Sequence, residues 1–301
     1  MAGGSALLTR RHLLQGAAAA SAQTPSGGTR MDVRPIPSTN EKLPVIGCGT
    51  WRGFDVGADA PARSKLTEVL RVLFAAGGSV VDSSPMYGSS EEVVGDLLAV
   101  METRDKAFLA TKVWTTGQAA GAEQMRQSMR LLQAGRLDLM QVHNLVDWRV
   151  HMQTLRAWKA EGRIRYLGVT HYTPGAYDAL EAVMRAEKLD FVQLNYALDD
   201  RSAEQRLLPL AAERGIAVLV NQPLGGGGLI GRLGRRKLPD WATEIGCTSW
   251  AQILLKFALA NPAVTCVIPG TGNPRHMQDN AAAGVGPYPD ATLRTRMIAE
   301  L

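Results

Sequence analysis

The 301-residue chain has no run of eighteen apolar residues, so no segment can cross a bilayer as a helix, and membrane insertion is not expected. Nor has it a block of like charge. Its 33 Lys and Arg against 28 Asp and Glu leave a net +5, but the basic residues are spread along the sequence, so no nucleic-acid partner is implied. The densest basic group, Arg232, Arg235, Arg236 and Lys237, lies in a glycine-rich stretch that suits a solvated loop or a small phosphate-bearing ligand. Cysteine is scarce: Cys48, Cys247 and Cys266 are odd in number and far apart, with no C-x-x-C and no histidine at ligand spacing, which argues against a disulfide framework and a zinc or other metal site. Cys48 and Cys266 sit among apolar and small residues and read as core thiols. No long low-complexity segment follows residue 30. What is there is 46% hydrophobic and 20% charged, enough to bury a sizeable core.

The first thirty residues differ from the rest. Thr9, Arg10, Arg11, Leu13 and Leu14 resemble a twin-arginine pattern, a short apolar stretch follows, and Ala20-Ser21-Ala22 matches a small-residue cleavage site. Residues 1–30 therefore read as a signal peptide and linker, cut near 22/23, and residues 31–301 as the folded unit. Export through the twin-arginine machinery to a periplasmic or otherwise external location is the expectation, with a cytoplasmic protein behind a misassigned start as the alternative.

From Val45 onward, short β-type runs alternate with segments of helical period, the pattern of parallel strands joined by crossover helices. Strands are predicted at 45–49, 79–82, 107–112, 137–143, 166–170, 191–195, 217–221 and 265–268, with amphipathic stretches such as "SKLTEVLRVLFAAG" and "SWAQILLKFALAN" between them. Eight units in about 250 residues fit a (β/α)8 TIM barrel better than an open sheet. "GCGTWRG" lacks the helix start and distal acid of a dinucleotide fingerprint. Before the first unit, two short extended runs flank Ser38-Thr39-Asn40, a hairpin placed to plug the bottom of the barrel. Ser89 with Glu92 three residues on has the spacing of a capping box ahead of an apolar helix.

In such a barrel the chemistry lies at the carboxyl ends of the strands. Asp82, Lys112 and His143 end the second, third and fourth predicted strands, and Tyr87 follows Asp82 by five residues. A phenol with a pKa near ~10 is a poor acid at neutral pH. An adjacent ammonium lowers that value, a carboxylate holds the ammonium in place, and a histidine orients a carbonyl. The set can protonate a carbonyl oxygen but cannot carry hydride, so a nicotinamide cofactor is required. Taken singly, each residue also has a structural explanation, as an ion pair, a capping aromatic or a satisfied histidine; taken together they favour chemistry.

On these residues the chain resembles the aldo-keto reductase superfamily, from Met31 to about Ala283. The family pattern D-x4-Y-G-x-S-E is present as Asp82, Tyr87, Gly88, Ser90 and Glu91, with Gly95 after it, and "LATKVW" and "DLMQVHN" match the segments bearing its lysine and histidine. The resemblance implies Tyr87 as general acid, Asp82 and Lys112 as its pKa-lowering pair, and His143 as polarising partner. It places Thr50 near the cofactor and Trp51, Trp114 and His143 at the substrate. Thr170, His171 and Gln193 fall at carboxamide-binding places, Asn221 where the family has a stacking aromatic, and Leu224 and Gly226 on a cofactor lid. Thr271, Arg275, Asp279 and Asn280 fall in the adenosine-phosphate segment, where Gly270 and His276 replace the usual lysine and arginine. NADP(H) is favoured over NAD(H), with Arg275 available to the 2′-phosphate. An NAD(P)H-dependent reductase of aldehydes or ketones, or the alcohol dehydrogenase of the reverse reaction, is implied. A slow or non-catalytic nicotinamide-binding regulatory protein on the same barrel is the alternative. The long C-terminal loop of many relatives has no counterpart, which predicts an open pocket.

Overall fold

The computed structural model describes Met1 and residues 30–301. The twin-arginine pattern and its cleavage site lie outside the described residues. The described chain opens with an antiparallel pair, β1 (Val33–Pro35) and β2 (Lys42–Pro44), whose turn places Asn40 in the left-handed region at φ 61°. Eight parallel strands follow: β3 (Cys48–Gly49), β4 (Val80–Asp82), β5 (Phe108–Val113), β6 (Leu137–His143), β7 (Ile164–His171), β8 (Phe191–Asn195), β9 (Ala217–Asn221) and β10 (Cys266–Val267). Each pairs with its neighbour in chain order, and the ring closes where Gly47 N donates to Val267 O at 2.9 Å and Val267 N donates to Val45 O at 2.9 Å. This is a (β/α)8 barrel, and every strand overlaps a segment predicted from the alternation.

The crossovers are α1 (Ala60–Ala75), α2 (Ser90–Val100), α3 (Gln118–Leu131), α4 (Trp148–Ala160), α5 (Tyr177–Ala186), α6 (Leu207–Arg214), a short α7 (Gly228–Leu233) in the glycine-rich stretch, and α8 (Trp250–Leu259). α9 (Pro274–Ala282) and α10 (Ala291–Ala299) complete the chain. Helix α2 starts where the sequence placed it, but not through a capping box. The Ser89 hydroxyl donates instead to Asp55 Oδ1 at 2.9 Å and accepts from Gly57 N at 2.8 Å, so it ties two loops together and makes no cap bond.

The period of two along each strand sorts side chains between the helix layer and the barrel interior. Val80, Phe108, Leu139, Tyr166, Phe191, Leu219 and Ile268 fill the interior with Ile36 and Leu43 from the hairpin, so β1 and β2 plug the amino end. Burying Ile36 and Leu43 stabilises the plug by about 1.5–3 kcal/mol each. All three cysteines are free and buried, and burial pushes the Cys48 thiol up to about 12, which keeps it unreactive. Among the described residues no helix is long and apolar enough to cross a membrane.

Candidate active site

The same period builds the site. Two residues beyond the apolar interior positions Val80, Ala110, Phe191 and Leu219 stand Asp82, Lys112, Gln193 and Asn221, and two and four beyond Leu139 stand Gln141 and His143. The lower interior is therefore apolar and its carboxyl end polar.

At the centre is an ion pair. Lys112 Nζ donates to Asp82 Oδ2 at 2.7 Å and to Ser83 O at 2.6 Å, and the two side chains are 0% and 3% exposed. Asp82 Oδ1 accepts from Gln193 Nε2 at 3.0 Å and Gln141 Nε2 at 3.2 Å. Tyr87 reaches this pair from the loop after β4. Gly88, at φ 58°, makes the turn behind it, and a Cβ there would lie 2.3 Å from the Asp55 carboxylate that accepts from Ser89 N, so only glycine fits. The Lys112 ammonium lies 5.0 Å from the Tyr87 ring centroid, and the His143 ring stands edge-on to it at 6.0 Å.

The ionisation states follow from burial and charge. Burial works against the Lys112 ammonium, but Asp82 and Tyr87 outweigh it and hold it charged, above its ordinary value. Burial, with Lys112 and His171 adding to it, lowers His143 to about 3, so its imidazole is neutral at physiological pH. The phenol corrects the sequence expectation. Burial pushes Tyr87 above its ordinary value, with Asp82 adding to it; Lys112 pulls the other way and is outweighed. Tyr87 is a neutral phenol that carries its proton.

A cleft of about 680 Å³ opens over this cluster. Of the residues singled out from the sequence, it gathers Thr50, Trp51, Asp82, Tyr87, His143, Thr170, Gln193, Asn221, Leu224, Gly226, Thr271, Asp279 and Asn280. Lys112 sits beneath the floor. His171 is not on the wall; its Nδ1 accepts from the Thr173 hydroxyl and backbone N–H, and Tyr172, stacked on it with centroids 5.9 Å apart, takes the wall position. Trp114 stands off the lining, 6.3 Å from the His143 ring. Arg275 is also off it, exposed on the first turn of α9, while His276 lines the cleft. Asp279 accepts from Ser249 Oγ and Gln252 Nε2, both at 2.7 Å, and so fastens the start of α8 to α9. No lining residue comes from beyond Asn280, and the rim carries exposed Trp51, Met86 and Tyr172.

Ser84 and Gln141 were missed in the sequence, and Glu91 was read there only as part of the family pattern. Ser84 Oγ lies 3.0 Å from His143 Nδ1, within hydrogen-bond reach of the imidazole. Gln141 braces Asp82, and its place two residues before His143 on an inward face was a signal that could have found it. Glu91, buried between Thr111 and Ser128, which both donate to it, pins the outer face of β5 beside Lys112.

A barrel with an acid-bearing phenol, a buried ammonium–carboxylate pair and a neutral imidazole at one mouth defines a class of proton-transferring enzyme acting at an oxygen atom. The aldo/keto reductase family model matches residues 45–295, and the chain belongs to that family. It is 29% identical over 253 residues to methylglyoxal reductase YeaE of Escherichia coli, covering 81% of this chain and 87% of that one. It is 27% identical to the NADH-specific methylglyoxal reductase of the same organism over 239 residues, 69% of this chain and 72% of the other. A Klebsiella pneumoniae aldo/keto reductase solved with NADP and acetate superposes with a TM-score of 0.74 at 28% identity, covering 87% of this chain and 92% of that one. The protein is an aldo-keto reductase, of the kind that uses a nicotinamide cofactor to reduce carbonyl compounds.

Proposed function

We propose that this chain reduces small aldehydes or ketones with NADPH in preference to NADH, Tyr87 supplying the proton. The observation that carries this reading is the neutral Tyr87 phenol beside a buried, charged Lys112 at the floor of the cleft. The residues fit a nicotinamide nucleotide: Asn221 Oδ1 is a buried acceptor without a partner, and Leu224 and Gly226 line the same cleft. When bound, the reduced nicotinamide supplies the hydride.

The chain's own part is proton management. In this reading Ser84 Oγ, 3.0 Å from His143 Nδ1, donates to that nitrogen, and the neutral ring then presents Nε2–H to a carbonyl oxygen. As the carbonyl carbon gains an electron pair, its oxygen takes the proton from Tyr87. The phenolate that remains faces the Lys112 ammonium, which Asp82 and Ser83 hold in place. The preference for NADPH rests on the exposed Arg275 guanidinium, which has no partner among the described residues and suits a 2′-phosphate. The apolar rim of Trp51, Met86 and Tyr172 favours carbonyl compounds with apolar substituents.

Fluorescence titration with NADPH and NADH, followed by aldehyde reduction by wild type and Tyr87→Phe, tests this reading. Tyr87→Phe should bind nucleotide like wild type and lose roughly 10²–10⁴-fold in kcat. Tight binding without turnover by wild type across a carbonyl panel would favour the regulatory alternative, and absence of binding would end the cofactor reading. Equal affinity for both nucleotides, unchanged in Arg275→Gln, would remove the NADP(H) preference. Export is proposed on the order of arginines, apolar stretch and small residues in 9–22. A mature N-terminus near Gln23, lost when Arg10 and Arg11 become lysines, is the expected result; an uncut chain refutes it.

A further inference from the structure

The family position that usually stacks an aromatic ring on the nicotinamide holds Asn221, and its neighbours give that amide a direction. Asp82 is a carboxylate and can only accept. Gln193 therefore turns its NH₂ to Asp82, at 3.0 Å, and leaves its carbonyl Oε1 to accept. That oxygen is met by Thr170 Oγ1 at 3.4 Å and by Asn221 Nδ2 at 3.5 Å. With its nitrogen so engaged, Asn221 presents its own carbonyl, and Asn221 Oδ1 is buried without any hydrogen-bond partner. Thus a relay of amides, each oriented by the one before, starts at the carboxylate beside Lys112 and ends in a buried, unpartnered acceptor of a residue that lines the cleft. Asn195 also has an unpaired Oδ1, but it does not line the cleft.

A buried acceptor at the end of such a relay is matched by a ligand N–H or O–H, and stranding it costs a hydrogen bond. Resting on the cofactor reading above, we propose that Asn221 Oδ1 accepts from the carboxamide NH₂ of the nicotinamide, holding the ring by its edge. The direction of that bond is imposed by Asp82 through Gln193. The same carboxylate that steadies the lysine of the proton donor thereby selects a primary amide on the cofactor.

The test compares NADP⁺ with its 3-acetylpyridine analogue, in which a methyl group replaces the carboxamide NH₂ and ring, ribose and phosphates are unchanged. Dissociation constants are read from quenching of tryptophan fluorescence in wild type and Asn221→Leu. Wild type should bind the analogue about ten-fold more weakly than NADP⁺, the loss expected when one acceptor is left unpaired. Asn221→Leu should bind NADP⁺ about ten-fold more weakly than wild type does, while its affinity for the analogue stays within about two-fold, because the partners share one interaction. Equal binding of the two nucleotides by wild type, a comparison that needs no variant, overturns the inference while leaving the cofactor reading intact. So does a variant that loses both nucleotides to the same degree. If wild type binds neither, the cofactor reading itself fails and the inference with it.

Discussion

Removal of the Lys112 ammonium is the perturbation for which the structure gives the firmest magnitude. The pair is 2.7 Å apart, with side chains 0% and 3% exposed, so neither charge can turn to water. In Lys112→Met, Asp82 Oδ2 loses its partner and Oδ1 keeps only two neutral amide donors, Gln141 and Gln193. A buried charge left this way costs about 3–5 kcal/mol, a large part of the roughly 5–15 kcal/mol that holds a domain folded. The companion Asp82→Asn/Lys112→Met removes the charge as well as its partner. It should recover most of the loss, since replacing both members of a buried pair is often close to neutral. Equilibrium urea unfolding of wild type, single and double variants, without nucleotide, reads both quantities. A single variant that loses less than about 1 kcal/mol, or a double variant no more stable than the single, would refute the picture of a desolvated pair and with it the account of how the phenolate is steadied.

Other expectations concern the proton set and the helix packing. His143 titrates near 3 in the folded chain and near its ordinary 6.5 when unfolded, so between these values the unfolded state binds the extra proton. Its contribution to stability is complete above pH 6.5 and is lost as pH falls toward 3. Imidazole NMR should accordingly show a neutral ring at pH 5, and a midpoint near 6 would contradict the desolvation argument. Ser84→Ala frees His143 Nδ1 and should lower kcat by about ten-fold with nucleotide affinity unchanged; an unaltered kcat would remove Ser84 from the mechanism. Gly95 lies where α2 meets α3, and a Cβ there would stand 2.1 Å from Leu131 O. Gly95→Ala should cost at least about 1–3 kcal/mol in urea unfolding, and a neutral result would mean that the two helices separate easily.

The barrel was legible in the chain because its signals are local. Alternation of β-type runs with helical periods needs only neighbours three or four residues apart, and inward and outward positions follow from a period of two. The step from Leu139 to Gln141 and His143 could be read before any contact was known. The local pattern around Asp82, Tyr87 and Gly88 likewise announces an acid, a phenol and a turn in one loop. What the sequence could not supply were outcomes of competition between distant groups. Ser89 has the spacing of a cap, yet its hydroxyl is spent on Asp55 and Gly57, more than thirty residues earlier. Lys112 was expected to lower the Tyr87 phenol, but burial by the closed barrel outweighs it. Tyr172 rather than His171 reaches the cleft wall, a matter of which way the strand end turns. The direction of the Gln193 and Asn221 amides depends on a carboxylate more than a hundred residues away in the chain. The sequence by itself determined the barrel and the strand ends at which Asp82, Lys112 and His143 stand, because periodicity and turn chemistry act over a few residues. Tertiary structure alone decided their charge and hydrogen-bond polarity, because desolvation and donor–acceptor pairing depend on what the closed barrel brings within about 3 Å.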